Sequence, residues 1–454
     1  MDGSMQMEAA PRACPQPGRW KDRAALAGAS LAFVLGAAHF FRSGQHGLAC
    51  VCLVWAGLLW RPVAWLRRSA AVFLLGLAAE WGMTTQALAR WRLQLGQDWL
   101  RMACILGAVA ALTLLAAAAL RSRACRRGEV SGPRAQALAC LLVSALLLLL
   151  DGLRPDLLLL HRLVPGWGAV QALLAGLWAG LVYGWLADRR RAPVWRRRIW
   201  LLFSCVFFGQ LLAGLFLHSL FFLQGVPHLP VPGLILSGPL YRGGGSLFMP
   251  GLFAVSLLLA GSAWCSHLCY LGVWDARAAD AGPRSGRGVP ALWRKMRWGL
   301  LAVSLLLPLG LRLAGLPWPW ALVFALALGL ALLPCALWLS RKLGIPVYCC
   351  GICPLGMTAN LLARLSPWRL RRNGHCTGCG ACARICRYGA LRLDGDGKVA
   401  GPDWRCTLCR DCMSVCRHRA LEIRCCGQGG AWGEQALLCS LSVLHTLFLF
   451  MGRV

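Results

Sequence analysis

Acidic residues are scarce in this chain of 454 residues: 17 Asp and Glu stand against 48 Lys and Arg. Charged residues of every kind make up only 14%, roughly half the share of a soluble globular domain. With 58% hydrophobic residues and a mean hydropathy of +0.58, this argues against a water-soluble enzyme. A phosphate loop of the form GxxxxGK[ST] is missing. No two of His39, His46, His161, His218, His228, His267 and His445 lie at a spacing suited to bis-histidine haem ligation. The composition also excludes disordered, collagenous and secreted disulfide-rich classes. A formal charge of +31 would suit nucleic acid, but the arginines sit between long apolar runs, so lipid is the expected partner and nucleic acid is not.

Those runs approach the ~20 residues that cross a bilayer. They predict spans at 24–41, 47–60, 69–88, 102–120, 135–150, 166–187, 199–223, 247–270, 298–316 and 318–339, of which the second is short. A weaker stretch, 436–450, reads as an eleventh span or an interfacial helix. The first span is not expected to be a cleaved signal, because Arg42 and no small-residue cleavage site follows it. Alternate loops hold 39 of the 48 basic residues and the rest of the chain holds 9, which predicts a cytoplasmic N-terminus and a cytoplasmic C-terminal segment. The arginine runs in 188–198 are read as topology signals and lipid contacts. The expected organisation is a six-span domain at 1–190, a four-span domain at 191–365, a cysteine-rich domain at 366–426 and an apolar C-terminal helix at 427–454.

What the chain does have is cysteine, 24 in all. Cys376, Cys379, Cys382 and Cys386 form CxxCxxCxxxC, and Cys406, Cys409, Cys412 and Cys416 repeat it 30 residues later. This is the spacing of a two-cluster bacterial ferredoxin, in which a tight loop supplies three thiolates and the fourth comes from the other motif. The expected sets are Cys376, Cys379, Cys382 and Cys416 for one 4Fe–4S cluster, and Cys406, Cys409, Cys412 and Cys386 for the second. Paired zinc sites would leave the third cysteine and the x3 spacing of each motif without a purpose. Small residues at Gly378, Gly380 and Ala381 let the backbone wrap closely, and Ala390-Leu391 and Ala420-Leu421 are expected to pack together. Arg387 and Arg417 stand where proline usually follows the fourth cysteine. Their charge favours the reduced cluster, which predicts raised potentials.

Two further cysteine pairs share a pattern: W-C-S-H-L-C-Y-L-G with Cys265 and Cys269, and Y-C-C-G-I-C-P-L-G with Cys349, Cys350 and Cys353. Residues four apart on a helix share a face, so each pair presents two thiols together at a span end. They read as a redox dithiol, a shared metal site or an electron-transfer contact. Cys50, Cys52, Cys104, Cys140, Cys205 and Cys335 read as small packing residues.

Paired CxxxC segments at span ends, followed by a two-cluster ferredoxin module, resemble the NapH/NosR/MauN group of membrane ferredoxin-type proteins. The resemblance covers about 196–426. It puts Cys265, Cys269, Cys349 and Cys353 on the paired membrane motifs and the eight tail cysteines on the clusters. Tyr270 replaces the usual proline of the first pair, and the N-terminal half has no counterpart in the four-span members. The resemblance implies a multi-pass protein of the bacterial inner membrane that moves electrons between quinone or quinol and a partner redox protein. It leaves open whether the chain is the electron-transfer subunit of a quinol dehydrogenase.

The overall expectation is an all-α polytopic membrane protein with a C-terminal two-cluster ferredoxin-like domain, acting as an electron relay. An accessory factor for metal-centre or cofactor maturation and a redox sensor are the alternatives. Glu80, inside a predicted span, reads as a functional acid or a helix–helix bond. Gln210 reads as a quinone contact or as packing. His267 lies between two thiols, and His375 adjoins a cluster cysteine where it would tune the potential. The Pro- and Gly-rich segment 224–246 reads as a docking or re-entrant element.

Overall fold

The computed structural model describes residues 19–61, 63–123, 133–222, 233–242, 247–283, 290–427 and 429–451. Its Cα positions gather into two compact units, Met1–Arg127 and Gly128–Val454. The 190/191 division read from sequence follows motif content, whereas this one follows packing.

The first unit holds α1 (Arg19–Arg42), α2 (His46–Leu58), α3 (Ala64–Gln94) and α4 (Leu100–Arg123). Trp55 is fully buried against Phe33 and Phe73. Glu80 on α3 stands 3.6 Å from His39 on α1, so this acid joins two helices.

The second unit begins with α5 (Pro133–Leu153), α6 (Leu159–Leu163), α7 (Gly168–Ala187), α8 (Ala192–Phe216), α9 (Leu234–Arg242), α10 (Phe248–Ala260) and α11 (Trp264–His267). It continues through α12 (Gly272–Asp280), α13 (Ala291–Leu313), α14 (Trp318–Leu343) and α15 (Pro354–Leu362). The tail then folds as β1 (Trp368–Arg372), α16 (Ala381–Ile385), α17 (Asp411–Ser414) and β2 (Leu421–Cys425), and the chain closes with α18 (Ala431–Phe450). The strands pair antiparallel with Leu370 opposite Ile423. Of segment 224–246, the part within α9 is helical; 224–232 and 243–246 lie outside the described residues.

Eight helical segments among the described residues are long and apolar enough to cross a membrane: Ala24–Arg42, Leu100–Leu120, Pro133–Leu153, Gly168–Ala187, Ala192–Phe216, Phe248–His267, Lys295–Leu313 and Ala431–Phe450. The stretch 47–60 becomes α2, whose 13 residues extend about 20 Å, short of a ~30 Å hydrocarbon core. Stretches 69–88 and 318–339 lie within α3 and α14.

The C-terminal stretch has the length and composition of the span that was one of its two readings. It extends five residues further N-terminally and packs against α5, α7, α8 and α10 inside the second unit. Glu434 interrupts its apolar run, yet is itself buried and receives hydrogen bonds from Arg189 and Arg410. Paired in this way, the acid no longer argues against a buried helix.

Packing of α5 on α7 rests on Gly176, Gly180 and Gly184, a GxxxGxxxG stripe of the kind that lets membrane helices approach closely. A Cβ on Gly176 would lie 2.0 Å from Ser144 Oγ and 2.7 Å from the Cys140 carbonyl. Gly176→Leu is therefore expected to cost about 3 kcal/mol through overpacking. Thermal unfolding in detergent should show a clearly lowered midpoint for Gly176→Leu and little change for Gly152→Leu, whose Cβ position is open.

Candidate functional site

The two tail motifs build matching backbones. Gly378 and Leu408, 30 residues apart, have φ of 75° and 46°; Gly380 and Arg410 have 69° and 68°; Gly389 and Arg419 have 60° and 49°. Left-handed φ is free for glycine but costs a side-chain-bearing residue on the order of 1–2 kcal/mol. Leu408, Arg410 and Arg419 nevertheless adopt it, so the second loop takes the first loop's shape against its own local preference. The Gly378 and Leu408 amides point at the Cys376 and Cys406 thiols. The Ala390 and Ala420 amides donate to Cys386 Sγ and Cys416 Sγ at 3.4 and 3.2 Å. Ala390, Leu391, Ala420 and Leu421 are all buried, as their repeat positions predict.

Each motif's distant cysteine joins the other motif's loop. Cys376, Cys379, Cys382 and Cys416 line one cavity. Cys386, Cys406, Cys409 and Cys412 line another. Among the described residues no three His, Cys, Asp or Glu side chains are arranged to share one metal ion. Thiolates round a cubane stand at its corners, further apart than those round a single ion. Sites ringed by four thiols and inward amides, with no three thiols close enough to share one ion, fit cubane clusters and are a poor fit to zinc.

The cavities differ in surroundings. The first is near the surface, with Cys379 exposed. There the Val399 and Gly378 amides hold the Cys376 thiol below its ordinary pKa. His418, not His375, lies in its wall. The His375 side chain is absent from that wall, and its backbone amide donates to Asn373 Oδ1 at 3.0 Å. The second cavity is deep: burial pushes Cys406 up to about 12 and raises Cys409 and Cys412 as well. Iron binding here must displace protons from neutral thiols.

The span ends seal the inner cavity. Arg196 on α8 donates to both carboxylate oxygens of Asp411 at 3.0 and 2.9 Å and to the Ser266 carbonyl at 3.2 Å. Arg387 pairs with Asp280 at 2.9 Å and donates to the Ala279 and Gly344 carbonyls. Asp280 also receives Arg197 at 3.2 Å. Trp368 on β1 donates to the Leu259 carbonyl, and Arg410 to that of Leu186. Arg196, from the arginine runs of 188–198, thus binds the tail to the helices, a role that topology and lipid contact alone had not required. Arg387, where proline was expected, is one of the tethers, so Asp280 offsets much of its charge.

Four guanidinium groups and two carboxylates line the inner cavity. This excess of positive charge favours a reduced cluster, so the inner potential should exceed the outer one. Arg196→Gln, which also leaves Asp411 with less compensation, is expected to lower the inner midpoint on the order of 60 mV, equivalent to about 1.4 kcal/mol for one electron. Redox titration followed by EPR would measure the shift, and the outer midpoint should stay in place.

Residues 375–420 match the 4Fe-4S dicluster domain family. No curated protein and no solved structure matches the chain significantly. A dicluster domain joined to several helices of membrane-spanning length makes this a membrane iron–sulfur electron-transfer protein.

The two CxxxC pairs also converge. Cys265, Cys269, Cys349, Cys350 and Cys353 line a third cavity beside the dicluster domain. His267 does not enter it: the ring nitrogen Nδ1 lies 3.1 Å from the Ala263 carbonyl and 3.0 Å from Ser266 Oγ. Tyr270 stacks on Phe207 at 4.2 Å. Of the scattered cysteines, Cys52 and Cys140 are buried, whereas Cys104, Cys205 and Cys335 are exposed on their helices. Gln210 is half-buried. Gln171, which the sequence reading passed over, joins segments by accepting from the Leu160 amide and donating to the Phe450 carbonyl.

Proposed function

We propose that this protein relays single electrons between membrane quinol and a partner oxidoreductase, with its dicluster domain on the cytoplasmic side of a bacterial inner membrane. Cys376, Cys379, Cys382 and Cys416 would hold the outer 4Fe–4S cluster, and Cys386, Cys406, Cys409 and Cys412 the inner one. The observation carrying this reading is the asymmetry of the two cavities. One is pressed against span ends through Arg196 and Arg387, and the other opens near the surface beside Cys379. Such a pair joins a membrane donor or acceptor to a water-borne partner. The basic excess in alternate loops supports the orientation.

When bound, each cluster would supply one-electron chemistry, which would let the electrons of a quinol be taken one at a time. The chain's own residues fix position and potential. Arg196, Arg387 and Trp368 hold the domain to the helices, Tyr388 and Leu391 close the inner wall, and inward amides bond sulfur.

The test is anaerobic EPR on purified protein in lipid before and after a reduced quinol is added. Cluster signals that appear with quinol support the relay. Signals reached only with dithionite take quinol out of the circuit and favour the maturation role.

A further inference from the structure

The third cavity has a twofold internal logic. Its walls come from two segments 84 residues apart, Cys265-x3-Cys269-x-Leu271-Gly272 and Cys349-x3-Cys353-x-Leu355-Gly356. In each, the second thiol is approached by the amides two and three residues on: Leu271 and Gly272 for Cys269, and Leu355 and Gly356 for Cys353. The Gly356 amide lies 3.3 Å from Cys353 Sγ. In each, the glycine packs against the carbonyl of the first cysteine. A Cβ on Gly272 would stand 3.0 Å from the Cys265 oxygen, and one on Gly356 would stand 3.3 Å from that of Cys349. The shared L-G is therefore what lets the chain fold back and present two thiols with amides behind them. Cys350 has no counterpart in the first segment, where Ser266 occupies its place.

The second segment is further fixed from outside. Residues Tyr348–Ile352 form a π-helical turn, a geometry that recurs at functional sites. The Cys349 amide donates to Asp275 Oδ2 at 2.8 Å, and the Ser340 hydroxyl bridges Asp275 to the Val347 amide. On the other side, Trp200 donates to the Cys269 carbonyl at 2.7 Å.

Three buried donors at this cavity lack a partner: Trp264 Nε1, Arg297 Nε and the Thr407 hydroxyl, on residues 8%, 3% and 6% exposed. Leaving a buried donor unsatisfied costs about 1–3 kcal/mol each. Cavity-facing thiols give no full acceptor, but thiolates and inorganic sulfides do. With Arg405 also in the wall, the cavity is built for an anion rich in sulfur.

We propose that Cys265, Cys269, Cys349 and Cys353 hold a third iron–sulfur cluster at the membrane edge. The site rests on the dicluster reading above, because Tyr388 and Thr407 line both this cavity and the inner one. A cluster here extends the chain of carriers from the tail into the span ends. Trp264, Arg297 and Thr407 then donate to its sulfur atoms, and their unsatisfied hydrogen bonds are accounted for.

The experiment is iron and acid-labile sulfide analysis with Mössbauer spectroscopy on full-length, anaerobically purified protein. The expected wild-type content is about twelve irons if the third cluster is a cubane, or about ten if it has two irons. Cys269→Ser and Cys353→Ser should each lower the content to about eight while leaving the EPR of the dicluster domain unchanged, and Cys350→Ser should lose nothing. Wild type with eight irons, unaltered by Cys269→Ser, overturns the third site and leaves the dicluster reading standing. Wild type with four or fewer removes both. If the serine variants fail to fold, the wild-type count alone decides between eight and more.

Discussion

Cys416→Ala is expected to remove about four irons per protein, and Cys379→Ala is expected to remove the same four. The double variant Cys379→Ala/Cys416→Ala should lose no more than either single one. The two residues lie in different motifs, 37 positions apart, yet line one cavity with Cys376 and Cys382. Two residues that serve one cluster are fully non-additive, whereas residues serving separate clusters would add. Cys386→Ala with Cys409→Ala should behave alike for the inner cluster. Iron analysis of the six proteins, with EPR of the cluster that remains, checks this directly. A loss of eight irons from Cys379→Ala/Cys416→Ala would mean that each motif serves its own cluster.

Glu434→Ala is expected to cost about 3–5 kcal/mol, the usual penalty for stripping one partner from a buried ion pair. Its carboxylate receives Arg189, at the end of α7, and Arg410, in the loop between Cys409 and Cys412. One side chain on α18 therefore ties a helix end to the cluster loop. The Gly433 position beside it is so close to β2 that a Cβ would meet the Ile423 carbonyl at 2.4 Å. Removing the acid leaves two guanidinium groups facing each other with little water. Thermal unfolding in detergent should fall by roughly 5 °C, and cluster loss on heating should come earlier to the same degree. An unfolding midpoint within about 1 °C of wild type, an effect of under ~1 kcal/mol, would show that α18 is held by its apolar contacts alone.

The cluster domain was legible because its chemistry is local. Three thiols on a CxxCxxC loop must be close in sequence, and the 30-residue repeat told which distant cysteine is left over for the other loop. The paired CxxxC segments were legible as motifs and a shared site was one of their readings, but no local rule links Cys269 to Cys353 to choose it. The tethers were hidden for a different reason. Arg196 looks like any cation near a span end and Arg387 like a charge beside a cluster, and only the positions of Asp411 and Asp280 show that both are clamps. The role of Glu434 in α18 was not legible, because its partners lie 245 and 24 residues away. His418 went unnoticed beside His375: both flank cluster cysteines, and which ring faces the cavity depends on the turn after Cys416. A search for His or Cys within two residues of each motif's fourth cysteine would have found it. The glycine stripe on α7 was in plain view at a four-residue spacing, but the partner helix that it serves was not.

The central claim is that two cubane clusters sit in one domain docked on membrane helices. Its most direct measurement is EPR of the dithionite-reduced, anaerobically purified protein, together with iron and sulfide content. The account predicts at least eight irons and eight sulfides per chain, with two fast-relaxing S = 1/2 signals broadened by their mutual coupling. Zinc in place of iron, or a single uncoupled signal with about four irons in intact protein, would contradict it.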